Sequence, residues 1–253
     1  MKDDLIKKQY YERKAITFDE TCIREHDEHY EALSVISMFL ERLNPGSVLD
    51  VGCGTGRGIG YLLKNFPELD VQGIDASEAQ LHQAMIKNGI PPDRLHVGSA
   101  TKLPFPDQSF DVVCEFGVLH HIKDPEQAVK EMLRVARTAV FISDCNRFGQ
   151  GGLLSRRIKA WLAALKMWPL ANWIKTGGKG SYFSEEDGLA YSYSVYDSLD
   201  TICAWGGRVF LCPTTKHSGS GMHPYMTAGQ ILVGAIKNPS DLEVKNRDKE
   251  LPT

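Results

Sequence analysis

The run Ser47-Val48-Leu49-Asp50-Val51 is followed at once by Gly52, Gly54, Gly56, Gly58 and Gly60. No other feature of the chain restricts its fold as strongly. A short apolar run bounded by such a cluster reads as a buried strand. The glycines allow positive φ and let a ligand approach the backbone. The helix expected beyond them, through about Lys64, offers free N–H groups at its start. The same unit then recurs. VQGID (71–75) is a second strand, before a helix over 77–88 with Ser77 as N-cap. RLHVG (94–98) is a third strand and LPFPDQ (103–108) a turn-rich loop. FDVVCEF (110–116) is a fourth strand, and Asp124-Pro125 opens a helix through Arg137. TAVFIS (138–143) is a fifth strand. This alternation predicts an α/β, doubly wound, mostly parallel sheet with right-handed crossovers. Ligands of such sheets sit beyond the carboxyl ends of the strands, where these motifs lie.

The flanking segments read differently. Residues 1–46 are helical and polar, with Leu33, Ile36, Leu40 and Leu43 at helical spacing and Asn44-Pro45-Gly46 as a stop. After Asp144 the alternation breaks into an insert over 145–190. A helix from about 195 to Gly206-Gly207 precedes strands RVFLCPTT (208–215) and QILVGAIK (230–237). The loop between them is poorly suited to a crossover helix, so they pair antiparallel. The tail 238–253 is polar and expected to be flexible. At 253 residues and 42% apolar content, the chain can bury a core without disulfides or metal. Its net charge of -3 gives no global pull toward nucleic acid or an anionic membrane. Six cysteines form no CxxC pair, the start lacks a signal-peptide core, and no apolar run could span a bilayer. A reducing, cytoplasmic setting is the expectation.

Two acids give the glycine turn its chemistry. A dinucleotide fingerprint wants its third glycine where Arg57 stands. Asp50, two residues before the first glycine, would face a pyrophosphate poorly but suits a cation. Asp75 lies 23 positions after Gly52, where an acid can accept both hydroxyls of a ribose. A site wanting a ribose, a nearby positive charge and no phosphate fits S-adenosylmethionine. The plainer alternative for both acids is an N-cap or turn role. Cys53 is read as a small residue packed behind the loop rather than a reactive thiol at a helix start.

The stretches VLDVGCGTG (48–56), GIDAS (73–77), LPFPDQSFDVV (103–113) and VLHHIKDPEQAVKEMLRV (118–135) together resemble the class I S-adenosylmethionine-dependent methyltransferases. The likeness is closest to their UbiE-like, type 11 group, and covers about residues 47–144. It implies a Rossmann-like sheet of seven strands with the last antiparallel, and S-adenosyl-L-methionine as cofactor. It further implies that Asp50, Gly52, Cys53, Gly54 and Gly56 hold the methionine end. Asp75 and Ala76 would hold the ribose, with Ser99 and Ala100 beside the adenine. The family often has an acid at the position of Ser99, and serine can still accept that hydrogen bond. Residues 1–46 would form a lid in which Tyr10 and Tyr11 either contact the cofactor or simply pack. Residues 47–237 would form the methyltransferase domain.

On the acceptor side His120, His121 and Asp144 are the candidates for a general base or an acceptor contact. Glu115 either faces the cofactor or stabilises its loop. No metal site is expected: His26 with His29, and His217 with His223, lack a spaced carboxylate and read as surface histidines. The insert holds no Asp or Glu between Cys145 and Ser184 but seven basic residues. Leu154, Ile158, Trp161, Leu165 and Trp168 mark an apolar stripe beside Arg156, Arg157 and Lys159. Three readings stay open: a lid helix packed on the sheet as an acceptor-side cap, a positive pocket for an anionic acceptor, and a helix in a membrane interface. Glycine pairs 151–152 and 177–178 are candidate hinges. The expected reaction is methylation of a small molecule, at oxygen. The alternatives are a non-catalytic cofactor-binding module and a methyltransferase of a lipid-linked or anionic substrate at a membrane surface. Nucleic acid is disfavoured, since EFGVLHH stands where a base-methylating motif would be and the insert is short of a full footprint. The oligomeric state is left open.

Overall fold

The computed structural model describes residues 2–17, 26–185, 187–215 and 223–237. Strands β1 (Ser47–Val51), β2 (Asp70–Asp75), β3 (Leu95–Val97), β4 (Phe110–Phe116), β5 (Ala136–Cys145), β8 (Arg208–Pro213) and β9 (Gln230–Ile236) form one sheet. Its order is β3-β2-β1-β4-β5-β9-β8. Pairs β1–β2, β1–β4, β2–β3 and β4–β5 are parallel, while β9 runs antiparallel to both β5 and β8. The expected antiparallel pairing of the last two strands is therefore present. The fold is the Rossmann-like doubly wound sheet that the alternation predicted.

The central strands are apolar on both faces because helices cover both. One face of the sheet presents Val48, Val112, Cys114 and Phe141. Packed there are Leu33, Ile36 and Leu40 of α2 (Glu28–Leu43), Ile59 and Leu62 of α3 (Arg57–Asn65), and Leu81 and Ala84 of α4 (Glu78–Asn88). The other face presents Leu49, Val113, Val140 and Ile142 to Val129 and Met132 of α5 (Pro125–Val135). Full burial of one such aliphatic side chain contributes about 1.5–3 kcal/mol. Caps set the helix starts: Asp27 accepts from His29 and Tyr30 N–H, Ser77 from Gln80, and Asp124 from Gln127. α5 stops at Val135, two residues earlier than expected, because the chain turns straight into β5.

Two further pieces flank the carboxyl ends of the strands. Helix α1 (Lys2–Lys14) lies against the β6–β7 hairpin (Ser181–Ser184 and Gly188–Tyr191), which the sequence reading left inside the insert. Tyr191 donates to Asp3 at 2.8 Å, and Tyr10 packs over Gly188, where a Cβ would come within 2.8 Å of the ring. Lys87 of α4 donates to the Ile16 carbonyl at 2.5 Å. The N-terminal segment is thus held between the hairpin and α4.

The rest of the insert is a pair of helices, α6 (Leu153–Ala164) and α7 (Trp168–Lys175), and neither buries a residue. The stripe Leu154, Ile158, Trp161, Leu165 is therefore not packed on the sheet. Trp168 belongs to the second helix, because the chain turns through Lys166 at φ +57. The pair is moored at its base. Lys159 donates to the Arg147 and Gln150 carbonyls, both at 2.8 Å, and Trp168 Nε1 donates to Ser192 Oγ at 3.0 Å. The Arg147 guanidinium lies 5.4 Å from the Trp168 ring centre, a cation–π contact.

Gly149, in the turn after β5, lies against the Ala228 carbonyl, and a Cβ would overlap that backbone oxygen. Backbone cannot swing aside as a side-chain end can. Gly149→Ala is expected to destabilise the protein by about 3 kcal/mol, measured by denaturant unfolding. A change within 0.5 kcal/mol, about the scatter of surface substitutions, would contradict the close contact.

Candidate functional site

A cleft of about 1280 Å³ opens at the carboxyl ends of β1, β2 and β4. Its floor is the glycine turn. Gly52 N–H and Cys53 N–H both donate to the Ile74 carbonyl, at 2.7 and 3.2 Å. Gly54 N–H donates to Asp75 Oδ2 at 2.9 Å, and Ser77 N–H to Asp75 Oδ1 at 2.8 Å. The carboxylate at the end of β2 thus pins the turn after β1. Gly52, at φ +75, fits because a Cβ would collide with the Val118 side chain. Gly54, at φ +52, has only Gln80 Oε1 within 4 Å of its missing Cβ, so its backbone is open to a ligand. Gly56, at φ +80, is packed on Ala84 and Ile90 and starts α3. Cys53 is buried, and burial pushes its thiol well above its ordinary range, so it packs behind the turn as expected.

Asp50 is buried with its carboxylate beside Gly58, where a Cβ would stand 2.5 Å from Oδ2. Among the described residues no hydrogen bond reaches that carboxylate. Burial, with a smaller contribution from Asp75, pushes its pKa up to about 7. A buried acid without a donor is a site waiting for a cation. Burial also raises Asp75, against the hydrogen bonds it accepts. Ala76, Ser99 and Ala100 line the same side of the cleft, and Ser99 Oγ lies 2.8 Å from Thr101 Oγ1. Arg57 takes no part in a phosphate site. Its guanidinium pairs with both oxygens of Asp27 at 2.6 and 2.7 Å, joining the starts of α2 and α3.

The opposite wall holds a cluster of ionisable groups. His120 Nδ1 lies 2.7 Å from Asp144 Oδ1, and Asp144 Oδ2 accepts Leu119 and His120 N–H at 2.7 and 3.2 Å. Burial works against the charged form of His120, but Asp144 reverses this and raises its pKa well above the ordinary histidine value. Burial likewise opposes the charge on Asp144, and His120 holds it down to about 2. The pair is therefore an imidazolium–carboxylate at neutral pH. His121 is the converse. Burial, and then the charge on His120, lower it to about 4, and its Nδ1 lies 2.9 Å from the Leu189 carbonyl. The neutral ring must carry its proton on Nδ1, leaving Nε2 as an acceptor. Asp187 Oδ1 sits 3.6 Å from the Nε2 of both histidines.

Several expectations change here. Asp144 is fully buried behind His120, with its oxygens committed to the protein, so it does not reach an acceptor. Glu115 also lies behind the cleft: Oε2 accepts the Val118 N–H at 3.0 Å, and Oε1 is buried without a partner. It supports the loop that carries His120 and makes no wall for a cofactor. His29 lines the cleft rather than the surface, against Gly117, while His26 and His223 are exposed. His217 lies outside the described residues. Asp187 was missed because it follows His120 by 67 positions on a hairpin with no local motif. His120, His121 and Asp187 bring three ligand-capable atoms together. Tyr11 stacks edge-on to His121 at 6.2 Å, with burial raising its phenol. The N-terminal helix thereby contributes to the cleft wall.

Comparison with known proteins agrees with this geometry. Residues 49–142 match a family model described as a methyltransferase domain. An uncharacterized methyltransferase of Schizosaccharomyces pombe is 36% identical over 38% of this chain and 37% of its own length. A 2-methyl-6-phytyl-1,4-hydroquinone methyltransferase of Synechocystis is 38% identical over 43% of this chain and 35% of its own. The chain thus spans about a third of the length of the curated relatives it matches. Among solved structures, magnesium protoporphyrin IX methyltransferase of Synechocystis shares the fold at TM-score 0.59 and 14% identity, over 94% of this chain and 98% of that one. Residues 49–142 thus match a methyltransferase domain, and the sheet around them shares the fold of solved methyltransferases.

Proposed function

We propose that this protein transfers a methyl group from S-adenosylmethionine to an oxygen of a small-molecule acceptor. One observation carries the reading: a cleft with a buried, hydrogen-bond-free carboxylate at one end and a histidine pair at the other. The residues fit the cofactor. Asp50 would take the ammonium of its methionine part, which relieves the burial that now raises its pKa. The open backbone at Gly54 and the turn from Gly52 to Gly56 would lie along that part. Asp75, whose oxygens each accept one backbone N–H, keeps lone pairs for two ribose hydroxyls. Ser99 and Ala100 would flank the adenine. Bound in this way, the cofactor supplies a methyl group on a sulfonium, ready for in-line displacement.

The chain's own residues then have separate tasks. Asp144 holds His120 in one orientation and fixes a proton on Nδ1. Nε2 therefore points to the cleft, where Asp187 meets it. In its neutral form His120 accepts the proton of an acceptor hydroxyl at Nε2, and the two flanking carboxylates stabilise the resulting cation. His121 presents an unprotonated Nε2 to the same point and orients that hydroxyl. Tyr11 and helix α1 act as a lid and exclude water, and the hairpin that brings Asp187 closes the acceptor side. An oxygen acceptor is favoured because these groups are built to hold and remove a proton. Among the described residues no helix is long and apolar enough to cross a membrane. We place the protein in the reducing cytoplasm, in keeping with its buried, unpaired Cys53, Cys114 and Cys145.

The reading is tested by incubating the protein with S-adenosylmethionine labelled in its methyl group and fractionated extract. Labelled methyl ether or ester product is expected, and no enzyme-dependent transfer from any fraction would overturn it. Asp75→Asn keeps one acceptor oxygen for the turn but cannot hold two hydroxyls. It is expected to weaken cofactor binding by about 1.5–3 kcal/mol in calorimetry, and an unchanged dissociation constant would contradict the ribose assignment. The proton on His120 is stabilised by two anions, so the neutral form appears only as pH rises past its raised pKa. Asp187→Asn removes one anion and should move the His120 transition, followed by ¹⁵N NMR, to lower pH. A transition that stays in place would separate Asp187 from the pair.

A further inference from the structure

The helical pair α6–α7 offers a surface that none of the described residues covers. On α6 the residues Leu154, Ile158, Trp161 and Leu165 fall on one face by spacing, and on α7 Leu170, Trp173 and Ile174 do the same. All seven are exposed, Trp161 at 63% and Ile174 at 65%. An apolar face of this size on a water-exposed element marks an interaction site. Its charge identifies the occupant. Seven basic residues and no acidic one lie between Cys145 and Ser184, in a chain whose net charge is -3. Arg157, Lys166, Lys175 and Lys179 are exposed among them. A second copy of the chain would bring the same positive charge to an isologous contact and be repelled. Tryptophan and aliphatic side chains with lysines and arginines around them match the boundary between acyl chains and anionic headgroups. Among the described residues Lys159 and Trp168 hold the pair to the rest of the fold, and the apolar side chains face away from it into solvent.

We infer that the α6–α7 pair docks this protein on the surface of an anionic phospholipid bilayer. β6 is the next element after α7 and brings Tyr182 to the cleft wall, with both Tyr182 and Phe183 exposed. The docking face and part of the acceptor side are therefore one continuous insert. This inference does not depend on methyl transfer, because docking is read without turnover.

Vesicles of phosphatidylcholine with and without phosphatidylglycerol are the probe, in a sedimentation assay with the full chain. Strong binding is expected only with phosphatidylglycerol, and it should weaken as salt is raised. Arg157→Gln with Lys175→Gln should lower the partition about tenfold or more. Trp161→Ala with Trp173→Ala should also reduce it, at unchanged circular dichroism and melting temperature. Three results would overturn the inference. One is no sedimentation with anionic vesicles, or equal sedimentation with neutral ones. Another is a dimer by light scattering that the tryptophan substitutions dissociate. The third is equally tight binding to polyglutamate, which would assign the face to an acidic polypeptide.

Discussion

The site rests on the bond between the end of β2 and the turn after β1. Asp75 accepts the Gly54 N–H, while the Ile74 carbonyl takes two further N–H groups from the same turn. These bonds hold a backbone with three positive-φ glycines in one shape. They also fix where the Asp75 carboxylate stands relative to Asp50. Without them the turn would lose the glycine conformations that leave Gly54 open, and the two acids would lose their spacing.

The same architecture explains why the charges sit where they do. The sheet is buried on both faces, so a carboxylate at a strand tip loses water without losing its charge-bearing chemistry. Asp50 answers by rising to about 7, Glu115 by rising well above the ordinary carboxylate range, and Asp144 by capturing His120. Three acids at neighbouring strand ends therefore meet the same burial in three different ways. Among the described residues Asp50 has no protein donor, whereas Asp144 is paired with His120. Burial supplies the common cost, and the local partner decides the outcome.

Much of this was legible in the sequence because it is local. The glycine turn, the strand tips and the caps Ser77 and Asp124 all rest on residues within a few positions of one another. β4 occurs where its apolar run placed it, at Phe110–Phe116. The paired acids were legible from their spacing alone. The sequence failed where the outcome depends on which surface a segment meets. For Glu115 the sequence left a cofactor contact and loop support open, and strand alternation could not say which lies behind a strand tip. The stripe on α6 left three readings open, and none of the described residues covers it, because a periodic pattern reads the same whether it is covered or bare. Asp187 and the hairpin β6–β7 had no signature, because their role comes from a fold-back across the cleft.

The central claim is that Asp50 is held uncharged in part by burial until a cation arrives. Calorimetric titration of the protein with S-adenosylmethionine across pH 6 to 8, at about one-unit steps, tests it most directly. Affinity is predicted to rise with pH through about 7, as the Asp50 proton is lost, with proton release on binding near that value. Affinity that stays flat across the range, or tight binding of NAD in its place, would contradict the account.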